Sequence, residues 1–322
     1  FGSSHSGHSS AQAPSFSAPC PPGALGRTVG PAGPARRVQA ASMAVLRVSA
    51  LFLLSCQQAA ASPVVVVTGA TGRTGAQLFG ALRAQGVEVR GLVRNATKAR
   101  QVLNCTRCDA SEGIYIGDVT KKETLSAVME GATTLAIVTS AVPHCADFHD
   151  PTSCGYPKGA MPVDIDFNGA KAQVEAFAGA QRDGAAGHVV LCSSMGTTEP
   201  NSFLDKLGNG QIGFYKLNEE AFLMSSGLPF TIVKPCGLTD DPPGRNQLVV
   251  GHDDDMHFTP PTVTRADVAR VMAESIVKPA EGMNLRFDLC SKAGEPTTDL
   301  GALLASARWP WEQPAAQAEL AI

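Results

Sequence analysis

The stretch Val64-Val65-Val66-Val67-Thr68-Gly69-Ala70-Thr71-Gly72-Arg73-Thr74-Gly75 decides how this chain folds. Four consecutive β-branched residues, apolar on both faces, suit a parallel strand buried on both sides of a sheet. The glycines then open a helix expected over Arg73 to Gln85 and ended by Gly86. Each glycine has a physical role in a phosphate-binding turn. Gly69 permits the sharp bend, Gly72 lets the backbone approach a pyrophosphate, and Gly75 lets helix and strand pack closely. The helix N-terminus, flanked by Thr71, Arg73 and Thr74, offers free N–H groups and a partial positive charge to an anion. A glycine triplet alone is weak evidence, but one that follows an apolar strand and opens a helix is the signature of a dinucleotide turn.

Outward from this turn, strand and helix patterns alternate from Ser62 to the end of the chain. Further strands are expected at Val87–Val93, Ile114–Ile116, Leu135–Val138, His188–Cys192, Phe230–Val233 and Leu285–Leu289. Helices are expected near Thr97–Leu103, Leu125–Met129, Phe214–Ser225 and Arg265–Ile276, with a long one over Val163 to Arg182. The alternation argues an α/β fold, a Rossmann-type doubly wound parallel sheet. No internal repeat or linker divides residues 62–322, which read as a single domain. Ser140 to Pro162 is an irregular segment following the fourth strand, on the side of the sheet where open α/β folds bind ligands. A loop that long reads as a lid or substrate loop.

The end of the second strand indicates which dinucleotide is preferred. An NAD-binding turn commonly carries Asp or Glu there for the ribose 2′-hydroxyl. This chain has Val93-Arg94-Asn95 instead, with Lys98 one turn later. Arg94, supported by Arg73 and Lys98, can meet a 2′-phosphate with charge-assisted hydrogen bonds, so NADP(H) is the expected cofactor. Gly117-Asp118-Val119 follows the third strand, where Asp118 and Val119 are expected to contact adenine.

The 322 residues are 44% apolar with a formal net charge of −3. That composition supports a sizeable core, and no cluster of Lys and Arg is dense enough for nucleic-acid binding. All Asp and Glu lie from Glu88 onward, so the first quarter of the chain is acid-free. Residues 1–42 are rich in Ser, Ala, Pro and Gly, a composition that does not offset the entropy of ordering. From Met43 the pattern changes to Arg47, an apolar run Val48–Cys56 and then Ala59-Ala60-Ala61. That order resembles a signal peptide starting at Met43, with residues 1–42 as upstream sequence. A bipartite plastid leader is a second reading, given Arg36-Arg37 ahead of the apolar run. Residues 1–61 are thus expected to be a leader for the secretory pathway or the plastid. The apolar run is too short for a stable membrane helix, and none is expected once the leader is removed.

Seven of the nine cysteines lie beyond the leader. Cys192, Cys236 and Cys290 sit in apolar runs and read as small core residues. Cys105 with Cys108, and Cys145 with Cys154, fit either local disulfides or free thiols. A zinc site is disfavoured because no second ligand pair accompanies Cys105 and Cys108. Asp253-Asp254-Asp255 lacks calcium-loop spacing and reads as a solvated acidic turn. No metal site is expected.

Thr68 to Gly75, Val93-Arg94-Asn95, Gly117-Asp118-Val119 and Thr139-Ser140-Ala141-Val142-Pro143 resemble the atypical short-chain dehydrogenase/reductases with NmrA-like, NAD(P)-binding domains. The likeness continues through Asp164–Ala172, Ser193-Ser194-Met195-Gly196, Lys206–Gly210 and Arg265–Ala269. It is closest to a plant and algal subgroup of small NADP-binding proteins. The resemblance implies a sheet of about seven strands, with cofactor contacts from the glycine turn and from Thr139, Ser140 and Ala141. It also implies that Pro235-Cys236-Gly237 flanks the nicotinamide.

The wider family's catalytic pattern is Tyr-x-x-x-Lys with an upstream Ser, and residues i and i+4 share one helix face. Tyr passes the proton while the nearby Lys lowers its pKa and holds the ribose. Lys216 matches the Lys, but Ile212 stands at the Tyr position. Tyr215 lies about 100° round the helix and cannot simply substitute. Ser193 and Ser194 match the Ser region, either as catalytic groups or as caps lining the cofactor site. His144 and His149 in the loop are candidate proton donors. The leading expectation is an NADPH-dependent oxidoreductase acting on a small carbonyl or conjugated substrate, with Lys216 and Ser194 in the chemistry. The Ile212 departure keeps open a non-catalytic NADP(H) sensor with a protein partner. An isomerase fits the fold but has no supporting residue.

Overall fold

The computed structural model describes residues 63–181, 187–199, 201–257, 259–309 and 312. The expected leader, residues 1–61, lies outside them. In chain order the strands are β1 (Val64–Thr68), β2 (Glu88–Val93), β3 (Ile114–Ile116), β4 (Thr134–Ile137), β5 (His144–Cys145) and β6 (Cys154–Gly155). They continue with β7 (His188–Cys192), β8 (Phe230–Pro235), β9 (Gly237–Thr239), β10 (Gln247–Gly251), β11 (Thr262–Thr264) and β12 (Leu285–Lys292). The longer helices are α1 (Arg73–Ala84), α2 (Ala96–Leu103), α3 (Ala170–Ala180), α4 (Ile212–Ser225), α5 (Arg265–Val277) and α6 (Leu300–Ser306).

The sheet runs β3-β2-β1-β4-β7-β8-β12, and every neighbouring pair in that series is parallel. Strand order reverses between β1 and β4, the switch point where doubly wound sheets bind ligands. Successive strand side chains point to opposite faces. Val65 and Val67 of β1 therefore join an apolar layer with Leu78 and Phe79 of α1 and Val268 and Met272 of α5. Val66 joins the other layer, with Val174 and Phe177 of α3 and Leu223 of α4. The four-valine run is apolar throughout because both of its faces are covered.

The seven parallel strands match the expected number, but the sheet does not end there. β10 and β11 both pair antiparallel to β12, and β9 pairs parallel to β11. These short strands carry no strong periodicity of their own and form against an edge already built. Ala60–Ile322 makes one compact unit. Among the described residues, no helix is long and apolar enough to cross a membrane.

Two expectations about the middle of the chain need correction. The long helix begins as a π-helical stretch, Val163–Gly169, before α3, and its expected end at Arg182 lies outside the described residues. The wider π turn coincides with an inward-facing Asp166, whose fully buried carboxylate accepts from the Ala141 N–H at 2.9 Å. The segment 140–162 is not irregular throughout. β5 and β6 pair antiparallel, Cys145 opposite Cys154, and a disulfide joins those two residues. Local cross-strand pairing of so few residues leaves little trace in sequence periodicity.

Candidate active site

At the glycine turn, Gly69 has φ +67°, and a Cβ there would sit 2.8 Å from the Val138 carbonyl oxygen. The turn therefore nests against the end of β4 only because Gly69 lacks a side chain. A Cβ on Gly75 would fall onto the Gly69 carbonyl oxygen. The Gly72 N–H donates to that same oxygen at 2.8 Å and closes the turn. α1 then starts with no side-chain cap and no acidic residue in its first turn. Its first N–H groups have no intrahelical acceptor and, with the helix's partial positive charge, can receive an anion. The turn fits a dinucleotide pyrophosphate.

Arg94 and Lys98 are exposed beyond the end of β2. The Asn95 side chain caps α2 by accepting from the Lys98 N–H at 3.0 Å. Asp118 is partly buried, yet its carboxyl stays below the usual range because Thr120 donates to it and Arg94 and Lys121 lie near. Val119 is buried against Gly169 and belongs to the core rather than to an open rim. Arg73, the third of the expected cations, is exposed and ion-paired. Its guanidinium pairs with Asp240 at 3.1 Å, and Arg265 reaches the same carboxylate at 2.8 Å. The two residues lie 167 positions apart, so this exposed pairing is invisible in local sequence.

A cavity of about 840 Å³ opens beside the turn. Thr74, Thr139, Ser140, Ser193, Ser194, Lys216, Pro235 and Gly237 all line it, so eight of the expected site residues converge. Ala141 is buried behind them, its N–H committed to Asp166. Thr71 is half-buried at the turn. Thr139 Oγ1 accepts from Gln173 Nε2 at 3.3 Å. Ile212 also lines the cavity, one helical turn before Lys216, where the family pattern would place tyrosine. Tyr215 instead packs near Phe214 and Phe167, with ring centroids 5.2 and 6.5 Å away.

Lys216 is buried beside two carboxyl groups. Its Nζ lies 3.0 Å from Asp166 Oδ1 and 3.7 Å from Glu219 Oε2. Neither Nζ nor Asp166 Oδ1 makes an aligned hydrogen bond, so the contact is an ion pair by distance alone. Burial would pull the ammonium's pKa down, but Asp166 and Glu219 outweigh it and hold it above the usual lysine range. Glu219 has the opposite fate. Burial, together with Asp166 and Glu220, pushes its carboxyl well above the ordinary value despite Lys216, and both of its oxygens lack a hydrogen-bond partner. Cys192, a free thiol in the cavity wall, is pushed up to about 11 by burial and stays protonated.

The two serines separate in role. Ser193 donates to buried Glu220, which also accepts from Arg286 Nε at 2.8 Å, so its hydroxyl proton is committed away from the cavity. Ser194 bonds only to the adjacent Met195 carbonyl, at 3.0 Å. Below this loop, Asp254 accepts from the N–H groups of Gly196 at 2.7 Å and Thr198 at 2.9 Å, and from Lys234 Nζ at 2.7 Å. Burial opposes ionisation, yet the Lys234 ammonium and the Thr198 and Gly196 donors hold the Asp254 carboxyl at about 2. The expected solvated acidic turn is thus wrong for its middle residue. Only the tertiary fold brings buried Lys234 to it, while Asp253 and Asp255 stay exposed.

His144 and His149 are exposed and do not line the cavity, which removes them as nearby proton donors. Cys105 and Cys108 form a disulfide, as do Cys145 and Cys154, so the first of the two open readings holds. The Cys105 and Cys108 sulfurs lie near Glu112, but that carboxylate is engaged by the N–H groups of Thr106, Arg107 and Cys108. Cys236 and Cys290 are buried in the core, as expected.

Sequence reasoning missed Asp166, Glu219, Lys234 and Asp254. Glu219 was within reach, since i and i+3 share a helix face with Lys216. Lys234 carried a signal too, because a lone charge in an apolar strand demands a buried partner.

Residues 69–279 match a family of NAD(P)H-binding proteins. The chain is 33% identical over 275 residues to sanguinarine reductase of Eschscholzia californica, covering 77% of this chain and 97% of that protein. It is 35% identical over 250 residues to an uncharacterised chloroplastic protein of Arabidopsis thaliana, covering 74% of each. In fold it is similar to an oxidoreductase from Lactococcus lactis, with TM-score 0.55 and 18% identity over 77% of this chain and 99% of that one. By its turn, its sheet order and these likenesses, the chain belongs to the NAD(P)H-binding family of atypical, NmrA-like short-chain dehydrogenase/reductases.

Proposed function

We propose that this protein is an NADPH-dependent reductase that delivers a hydride to a carbonyl or conjugated substrate in the cavity beside Lys216. The observation that carries the reading is the buried ammonium of Lys216 in the wall of a cavity that begins at the glycine turn. The N-terminal N–H groups of α1 receive the pyrophosphate, and Arg94 with Lys98 receives the 2′-phosphate. The dihydronicotinamide supplies the hydride when bound. Lys216 would hold the ribose and lend its positive charge to the substrate oxygen, favouring the negative charge that builds as the carbonyl carbon is reduced. Ser194 Oγ would donate its proton to this oxygen and regain one from solvent in the open cavity, so the carbon gains a hydride and the oxygen a proton. Ile212 leaves the site without the family's usual acid, which supports a second reading, a redox sensor that binds NADP(H) and passes the state to a protein partner. The chloroplastic names of relatives such as the Arabidopsis protein favour the plastid reading of the leader.

The test is titration of the protein with NADPH and NADH, then NADPH oxidation over aldehydes, ketones and quinones. Arg94→Ala is expected to weaken NADPH binding about ten- to hundredfold, the loss of one charge-assisted contact, with NADH unchanged. A loss shared by both cofactors, or no loss, would refute the 2′-phosphate assignment. Lys216→Met is expected to abolish turnover, and full retained turnover would remove Lys216 from the chemistry. Tight NADPH binding with no turnover across the panel would favour the sensor.

A further inference from the structure

Two large aromatic rings stand open at the mouth of the cavity. Phe148 and Phe203 are 54% and 43% exposed, and both line it. Their centroids are 5.5 Å apart with planes at 64°, an edge-to-face arrangement. They come from segments 55 residues apart, and the fold locks those segments together. Phe148 lies inside the loop closed by the Cys145–Cys154 disulfide. Phe203 starts the short helix Phe203–Lys206, which runs into the turn Leu207–Asn209. Gly208, at φ +55°, brings that turn close to the lid, where a Cβ would lie 3.0 Å from the Cys154 carbonyl oxygen. At Gly210 a Cβ would collide with the ring of Tyr156. Two glycines and one cross-link therefore fix the spacing of the two phenylalanines.

Exposed aromatic surface held rigidly at a cavity mouth costs hydration free energy until something apolar covers it. The walls behind the rings continue the same character through Leu204, Ile212, Leu238 and Met256, and the polar groups that share the lining include Lys216, Ser194 and Asp254. A ring face stacks on or meets the edge of another ring better than it meets a puckered aliphatic group. We propose that Phe148 and Phe203 form an aromatic jaw that selects a flat, fused-ring ketone or quinone, its carbonyl directed toward Lys216. This narrows the substrate class and rests on the reductase reading above. The preset spacing means that little ordering entropy opposes binding.

The test compares two thirteen-carbon ketones, planar 9-fluorenone and puckered dicyclohexyl ketone, by calorimetric titration into the full chain. Each is titrated with and without saturating NADP+, and NADP+ is titrated separately. The jaw predicts that fluorenone binds about tenfold more tightly than dicyclohexyl ketone. The double variant Phe148→Leu/Phe203→Leu keeps apolar bulk and is expected to bind the two ketones alike, with NADP+ affinity unchanged. Cys145→Ser/Cys154→Ser is expected to weaken fluorenone binding while keeping NADP+ binding. Equal affinity of the wild-type protein for the two ketones, or a preference that survives the double Leu variant, would overturn the jaw. Failure of NADP+ to bind would overturn the cofactor reading instead, and the cofactor-free titrations would still decide the jaw.

Discussion

Replacing Glu219 with glutamine tests the electrostatics of the site without needing a substrate. Glu219 is buried with Lys216, Asp166 and Glu220 around it, and burial first, then the two acidic neighbours, raises its carboxyl far above 4.5. The folded protein thus keeps this proton at pH values where the unfolded chain has lost it. The unfolded state then binds fewer protons, so stability falls as pH rises. The contribution is fully present below about pH 4.5 and is lost as pH climbs through the raised folded value. Within that window the wild-type protein loses about 1.4 kcal/mol for each pH unit over which Glu219 alone stays protonated on folding. Glutamine has nearly the shape of the protonated acid and no charge to lose. Glu219→Gln should therefore gain on the wild type as pH rises above about 4.5, by up to about 1.4 kcal/mol per pH unit, until pH passes the raised folded value. Groups common to both proteins, among them Asp254 held low and Asp288 raised by burial, cancel in the difference. Urea unfolding of both proteins at pH 5, 6 and 7 measures the gap. Parallel stability curves would show that burial does not raise the Glu219 carboxyl, and the account of its surroundings would be wrong.

Two further predictions concern stability and the turn. Gly75→Ala places a methyl on the Gly69 carbonyl oxygen and should cost about 1–3 kcal/mol as the turn opens, with NADPH affinity falling in the same titration. Gly80→Ala, in the same helix with nothing within 4 Å of the added carbon, should stabilise by about 0.5–1 kcal/mol. A matched response from the two glycines would refute the packing role given to Gly75. Lys234→Met removes the cation that lies 2.7 Å from Asp254 and 3.4 Å from Asp288, leaving buried carboxylates unpaired. It should cost about 3–5 kcal/mol in urea unfolding, and a loss below about 1 kcal/mol would show that those acids find protons or other donors at little cost.

The sequence by itself determined the sheet and the turn at its centre. Val64–Val67 is apolar without alternation because parallel strands are covered on both faces, and that pattern survives in one dimension. Gly69, Gly72 and Gly75 act through backbone geometry within seven residues of one another, so their spacing is local and readable. Lys216 and Ile212 could be placed together because an α-helix turns the sequence interval i, i+4 into one face. Tertiary structure alone decided which charges meet. Asp166 reaches Lys216 from a π-helical turn fifty residues upstream, Lys234 on β8 meets Asp288 on β12 and Asp254 in the turn after β10, and Arg73 meets Asp240. The pairing of Phe148 with Phe203 likewise depends on how the disulfide-closed loop packs near Gly208 and Gly210. Periodicity records which face of an element is apolar. Partner choice among buried charges and rings depends on distances set only when the elements pack.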